Sequence, residues 1–407
     1  MKQSIFGLLI IAFLASCMPQ AHAPAPKAKQ TKSSPLIAQA PSKVVSRGAV
    51  LPETPVIKVA LLVPLSGEAA PIGKSMVDAA TLALYDTYLN APSDEIKAQI
   101  ILMPKNSGNT LKENVAAAKQ AVAQGAQFVI GPLFSQSVTT IAPILKEKKI
   151  GMISFSNNKA VAAENVYTFG FLPEQQVERM AEYAYLEKMQ RVALLAPNDA
   201  YGEKVRDTLG EIYLKKGGLV APSELYAPSA NNIEAAVLRI AAAYNNAPED
   251  RRFQAIFVAD SGNQMKNIVK YLVKSHIDLT KIKLIGTGLM GDNGLEKIPE
   301  LQGAWFPNSP VAPYNVFAKR FANTYGYNPV RLASLAYDAT SIIAKIAMKG
   351  EGINAGALTD PNGFYDTANG LVRLLPNGKS ERKLEVVELH AQGQEVLDSA
   401  PKSFVDK

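Results

Sequence analysis

The sequence predicts an α/β protein in which parallel sheets, covered on both faces by helices, are divided between two lobes. Three observations lead there. Apolar runs of four to eight residues alternate with amphipathic stretches of helical length from Val56 onward. Several runs, such as Val192-Ala-Leu-Leu195, are apolar at every position, as strands buried on both faces require. The alternation also restarts near residue 172, as a second sheet would. Strands linked through helices of this length pair in parallel through right-handed crossovers.

Val56–Val63 opens the series as a buried strand, and Gly73–Leu89 follows as a helix with Met76, Ala80 and Leu84 on one stripe. Gln99–Met103 (strand), Leu111–Gln124 (helix), Gln127–Ile130 (strand), Ser137–Lys146 (helix), Ile150–Phe155 and Val166–Phe171 (strands) continue it. The second half runs helix Glu174–Lys188, strand Val192–Leu195, a helix from Gly202, strand Phe253–Val258, helix Asn263–Lys274 and strand Ile282–Ile285. Beyond Trp305 the alternation weakens. Helices are expected at Tyr314–Tyr325 and Leu332–Met348, with late strands near Leu371–Leu374 and Leu384–Leu389.

The first 55 residues are of another kind. Lys2 precedes an apolar run from Ile5 to Leu14, about half the length of a membrane span. The run ends in Leu14-Ala-Ser-Cys17, which resembles the lipobox of bacterial lipoproteins. That resemblance implies a signal peptide over 1–17, cleavage before Cys17 and acylation of its thiol and new amino group. More than one acyl chain holds a protein at a membrane durably. Met18, in place of Asp, implies sorting to the periplasmic face of the outer membrane. Residues 18–55 hold seven prolines and few large apolar side chains, so they are expected to form a disordered tether. Its reach is on the order of 100 Å. Of the net charge of +7, Lys2 carries one unit and the tether four, leaving +2 for residues 56–407. That near-neutral body argues against nucleic-acid binding. Cys17 is the single cysteine, so disulfides and cysteine metal sites are not expected in the body.

Signals of catalysis are weak. Gly67-Glu-Ala-Ala-Pro-Ile-Gly73-Lys-Ser75 has one residue too many between its glycines for a phosphate-cradling loop. Gly286-Thr-Gly-Leu-Met-Gly291 fits the dinucleotide pattern, but Asp292-Asn-Gly294 breaks structure where the cofactor helix should start. His22, His276 and His390 show no metal-ligand spacing, and no GxSxG elbow occurs. His276 suits a helix end, where a cationic ring offsets the dipole. We therefore expect no enzyme, cofactor or metal.

In open parallel sheets, ligands bind beyond the carboxyl ends of the strands. The loops there are rich in short polar residues: Pro64-Leu-Ser66-Gly, Gly131-Pro-Leu-Phe-Ser135-Gln-Ser137, Ser154-Phe-Ser156-Asn157-Asn158, Asn198-Asp199-Ala-Tyr201-Gly202 and Asp260-Ser261-Gly262. Serine and asparagine at such places also cap helices and close turns. Together the loops resemble the type I periplasmic solute-binding proteins, in particular the leucine/isoleucine/valine-binding branch. The likeness rests also on Val59-Ala-Leu-Leu-Val-Pro-Leu-Ser-Gly67, Gly125-Ala-Gln-Phe-Val-Ile-Gly-Pro132 and Ala336-Tyr-Asp-Ala339. It implies two Rossmann-like lobes with parallel sheets joined by a three-strand hinge. Lobe 1 would span about 56–171 plus 308–355, and lobe 2 about 172–307 plus 356–407.

The resemblance implies a small polar, amino-acid-like solute held between the lobes for an ABC importer. Ser66, Ser135, Ser156, Asn157, Asn158, Tyr201, Asp260 and Ser261 are its expected contacts. Ser135 would meet a carboxylate, Ser156 to Asn158 would line the head-group site, and Tyr201 would close over it. Two positions depart from the family. Asn158 stands where a threonine is usual. The acid that neutralises a ligand ammonium is missing from Gly286–Gly291, leaving Asp260 or Asp292 to supply it. Gly131–Ser137, Ser154–Asn158 and Gly170-Phe-Leu-Pro-Glu-Gln-Gln176 are also similar to the lipoprotein activators of penicillin-binding proteins. That likeness implies instead a regulator of a peptidoglycan synthase.

Overall fold

The structure is a computed structural model, and it describes residues 54–404 apart from Asn90, Pro228, Asp292 and Asn293. The expected signal peptide, Cys17, the tether and Asp292 lie outside the described residues. The chain first builds β1 (Val56–Val63), α1 (Ala70–Leu89), β2 (Gln99–Asn106), α2 (Leu111–Ala123), β3 (Phe128–Ile130), α3 (Ser135–Glu147), β4 (Gly151–Ser154) and β5 (Val166–Thr168). These strands form one parallel sheet in the order β2-β1-β3-β4-β5. Side chains alternate across a strand, so β1 feeds two cores at once. Val59, Leu61 and Val63 pack with Met76 and Ala80 of α1, while Ala60 and Leu62 pack with Ala117 and Ala118 of α2 and Val138 of α3. Each fully buried Val, Leu or Met among them contributes about 1.5–3 kcal/mol.

A second unit of the same design follows: α4 (Pro173–Leu186), β6 (Arg191–Pro197), α5 (Ala200–Lys216), β7 (Leu219–Tyr226), α6 (Ala230–Asn246), β8 (Ala255–Val258), α7 (Gly262–Lys274), β9 (Lys283–Gly286) and β10 (Trp305–Asn308). Alternation again divides the strand: Ala193 and Leu195 face α6 and α7, and Val192, Leu194 and Ala196 face α4 and α5. Neither β7 nor α6 is among the elements expected from the sequence. β7 is a sheet edge with three of its eight residues exposed and one buried, and with Pro222 and Glu224 within it, which blurs the strand pattern.

The remaining chain returns to both sheets. It forms α8 (Val311–Tyr325), α9 (Ala333–Met348), α10 (Ala355–Leu358), β11 (Val372–Leu374), β12 (Ser380–Arg382), β13 (Glu385–His390) and β14 (Gly393–Asp398). β13 and β14 complete a seven-stranded sheet, β14-β13-β10-β9-β8-β6-β7, with antiparallel pairing at β13 and β14. The chain thus passes between the two sheets three times, from β5 to α4, from β10 to α8 and from β12 to β13. One expectation needs correcting. Residues 356–382 do not join the second lobe, because Leu358, Val372 and Leu374 are buried against β1, β3 and α9 of the first.

Helix α9 is buried on nearly every side, yet it carries Asp338, which has no solvent exposure. The carboxylate accepts hydrogen bonds from the backbone N–H groups of Ala368 (2.6 Å) and Asn369 (3.2 Å) and from Asn369 Nδ2 (2.7 Å). Arg382 Nη1 stands 3.9 Å away. Arg382 also donates from Nη2 to the Phe169 carbonyl at 2.8 Å and lies over the Phe169 ring at 4.3 Å. Asp338 and Arg382 therefore join α9 to the first and third crossings. Burial pushes the Asp338 carboxyl above its usual range and pulls the guanidinium down to about 10, and each charge opposes the other's shift.

Two glycines set the seating of the leading helices. A Cβ on Gly73 of α1 would stand 1.7 Å from the Pro64 carbonyl oxygen, and one on Gly202 of α5 would stand 1.8 Å from that of Pro197. The two lobes thus share one device, in which a glycine lets the helix approach the end of the leading strand. Alanine normally stabilises a helix by about 1 kcal/mol over glycine. Gly73→Ala should instead destabilise by about 1–3 kcal/mol, because backbone must move. Denaturant melts of the variant check this, and unchanged or raised stability would contradict it. Asp338→Ala should cost about 3–5 kcal/mol by leaving Arg382 unpaired. In that background Arg382→Met should cost less than in the native chain, whereas additive costs in a double-mutant cycle would show the two groups uncoupled.

Candidate functional site

A cavity of about 520 Å³ opens beyond the carboxyl ends of strands from both sheets. The first lobe supplies Leu133 and Phe134 after β3, Phe155 and Asn157 after β4, and Ile72 of α1. The second supplies Tyr201 after β6, Gly288 and Leu289 after β9, and Pro307 and Asn308 of β10. The crossings contribute Phe171, Ser309 and Leu384, and the approach to α9 contributes Arg331 and Leu332. Volume and position suit a small-molecule site. The wall is mostly hydrocarbon: Phe155, Phe171, Leu133, Leu289, Leu332 and Leu384 surround a few polar groups.

Two of the sequence-derived site residues line this cavity, Asn157 and Tyr201. The Tyr201 hydroxyl lies 2.8 Å from Thr287 Oγ1, which fixes the ring against the loop after β9. Ser135 opens α3 and lines an adjoining cavity of about 400 Å³, which shares Leu133, Phe134 and Asn157 with the first. The others shape loops. Ser66 Oγ accepts from Asn106 Nδ2 at 2.9 Å. Ser156 is buried, and its Oγ accepts from the Asn158 N–H, while Asn158 Oδ1 in turn accepts from the Ala160 N–H and caps a short 3₁₀ turn. Asp260 accepts from the Tyr226 hydroxyl at 2.7 Å and from the Ser261 N–H at 2.8 Å, and Ser261 stands at the cap of α7. Tyr226 is pushed well above the ordinary phenol range by burial first and by Asp260 second. None of these five lines the cavity between the sheets.

The loop at Gly286–Gly291 ends in a 3₁₀ turn over Gly288–Gly291 rather than leading into a cofactor helix. Thr287 is buried within it, Gly288 N–H donates to Gln176 Oε1 at 2.8 Å, and Gly288 forms cavity wall. His276 is exposed and adopts the left-handed conformation (φ 58°) just past α7. Among the described residues, no cluster of three or more His, Cys, Asp or Glu is placed to hold a metal.

Arg331, not among the residues expected from the sequence, also lines the cavity. Its guanidinium lies against two aromatic rings, 4.5 Å from the Phe171 centroid and 4.3 Å from that of Tyr314. Nη1 donates to Ser334 Oγ at 2.8 Å and to Asn369 Oδ1 at 2.7 Å. Asn369 is the same residue that donates to Asp338, so the cavity arginine rests on the buried network beneath the crossings. Burial holds the guanidinium below its ordinary value, although Tyr314 and Asp338 act the other way. In sequence, Pro329-Val-Arg-Leu332 gives no hint of this role, because the partners at 171, 314 and 369 are distant.

Curated relatives match parts of the chain. An uncharacterised Rickettsia prowazekii protein is 26% identical over 59% of this chain and 61% of its own length. The penicillin-binding protein activator of Photobacterium profundum is 25% identical over 45% of this chain and 28% of its own. A Leu/Ile/Val-binding protein of Rhizobium johnstonii is 26% identical over 40% of this chain and 45% of its own. The chain thus spans less than two thirds of each. Solved structures share the fold across most of the chain. A branched-chain amino-acid ABC transporter protein from Rhodospirillum rubrum superposes with a TM-score of 0.72, at 15% identity, over 84% of this chain and all of that one. A Rhodopseudomonas palustris solute-binding protein in complex with benzoate gives 0.62 at 18% identity, over 86% of this chain and 98% of that one. Residues 56–383 match the periplasmic binding protein family model, and with two lobes meeting at a walled cavity the chain belongs to that family.

Proposed function

We propose that the protein is an extracytoplasmic receptor that captures a small solute between its lobes and presents it to an ABC-type importer. The cavity carries this reading. It is formed by both sheets at once, so a solute bound there contacts both lobes and favours their closed arrangement. The family match over 56–383, the Leu/Ile/Val-binding relative and the benzoate complex of a protein of this fold support it. Acylated Cys17 and a tether over 18–55 would keep the receptor at the outer membrane. Loop residues Ser135, Asn157 and Tyr201 would meet the solute, and no bond is made or broken.

A second reading is favoured by one observation, the similarity to a penicillin-binding protein activator over 184 residues. Under that reading the folded unit docks on a peptidoglycan synthase and the cavity is regulatory.

Solute at about a hundredfold excess over Kd should stabilise the receptor by about 2.7 kcal/mol. A melting screen against amino acids, small organic acids and muropeptides checks this. A null screen together with synthase capture and activation would transfer the assignment to the second reading. Tyr201→Ala should weaken binding of any solute so found, and unchanged affinity would place the site elsewhere. Cys17→Ser should release the protein from membranes into the soluble extract, whereas retention of the variant in the membrane fraction would contradict the anchor.

A further inference from the structure

The geometry points to the class of solute: a carboxylate with an apolar body and no ammonium group, its carboxylate held by Arg331. This deepens the solute-receptor reading and rests on it.

The first observation is electrostatic. The cavity between the sheets adjoins two others, one sharing Leu133, Phe134 and Asn157 and one sharing Gly288, Asn308, Ser309 and Arg331. Among the described residues lining all three, Arg331 is the one charged side chain. A carboxylate entering this space meets a cation, whereas an ammonium meets that same cation and no anion. Leaving an ammonium without a counter-charge in a low-dielectric site is costly.

The second observation is preorganisation. The guanidinium is held against the Phe171 and Tyr314 rings and by Nη1 hydrogen bonds to Ser334 and Asn369. Its Nε and Nη2 make no hydrogen bond among the described residues. That edge is the side of the fork that takes a carboxylate through two parallel N–H···O bonds. Rotamer entropy normally lost on binding is already spent by the stacking.

The third observation is the wall. Phe155, Phe171, Leu133, Leu289, Leu332 and Leu384 offer apolar surface to the solute body. Asn157, Gln176 and Asn308 give scattered hydrogen bonds but no charge. An aromatic or branched aliphatic acid satisfies both the wall and the fork, a sugar satisfies neither fully, and an apolar amino acid leaves its ammonium without a counter-charge.

The test measures melting shifts and calorimetric affinities of the full-length protein with matched probes. Benzoate, phenylpropanoate and 4-methylpentanoate represent apolar acids, phenylalanine and leucine add the ammonium, and benzamide removes the charge. At least one apolar acid should bind about 100-fold or more tighter than its amino or amide counterpart. Arg331→Gln should weaken that acid about 30-fold or more, and Arg331→Lys, which keeps the charge without the fork, should fall between. Arg331 also supports Asn369, so a second variant guards against misfolding. Asn157→Asp, at an exposed cavity position, should weaken the acid and narrow the gap to its amino counterpart. Amino acids binding more tightly than the matched acids would overturn the assignment and leave the receptor reading intact. So would an acid whose affinity is indifferent to Arg331→Gln and Asn157→Asp. No binding by any probe, acid or zwitterion, would count against the receptor reading itself and take this inference with it.

Discussion

Asp338 is the constraint on which the rest of the arrangement depends. A carboxylate shut off from bulk solvent is tolerated only when its lone pairs are occupied, and here three N–H groups from Ala368 and Asn369 do that. Those contacts fix the segment that returns beneath the crossings. They also orient Asn369, whose amide oxygen accepts from Arg331 at the cavity. Arg382, 3.9 Å from Asp338, ties the same point to Phe169 on the first crossing. One buried charge therefore links the core of a lobe, two of the three crossings and the cation that faces the cavity. Buried ion pairs add little stability over apolar packing, but removing one partner leaves an uncompensated charge and is strongly destabilising.

The two lobes solve the same packing problem in the same way. In each, the leading strand sends alternate residues into two cores, and a glycine lets the following helix touch the carbonyl of a proline at the strand end. The carboxyl ends of the strands carry the loops, and three passes of the chain bring the two sets of loops together. Binding residues on short loops above a rigid sheet are well placed to move with their lobe as a unit.

Much of this was legible in the sequence because it rests on local periodicity. The all-apolar run at Val192–Leu195 and the stripe of Met76, Ala80 and Leu84 each report burial directly. β7 was not legible, because an exposed edge strand with Pro222 and Glu224 lacks a clean pattern. The return of 356–382 to the first lobe is not legible either. Leu358, Val372 and Leu374 are sparse apolar residues in a Gly-rich stretch, and nothing local says which core receives them. At the site, the polar loops drew attention to serines and asparagines that serve mainly as caps and turns, such as Ser156 and Asn158. The hydrocarbon wall and Arg331 are not legible in the sequence, because they come from six separate segments and only tertiary structure makes them neighbours.

A crystal structure of the protein grown with a solute that stabilises it tests the central claim most directly. Electron density for that solute should lie between the two sheets, its body against Phe155 and Phe171 and its carboxylate within hydrogen-bond distance of Arg331 Nε or Nη2. Density outside this cavity, or a solute in contact with one lobe alone, would contradict the account.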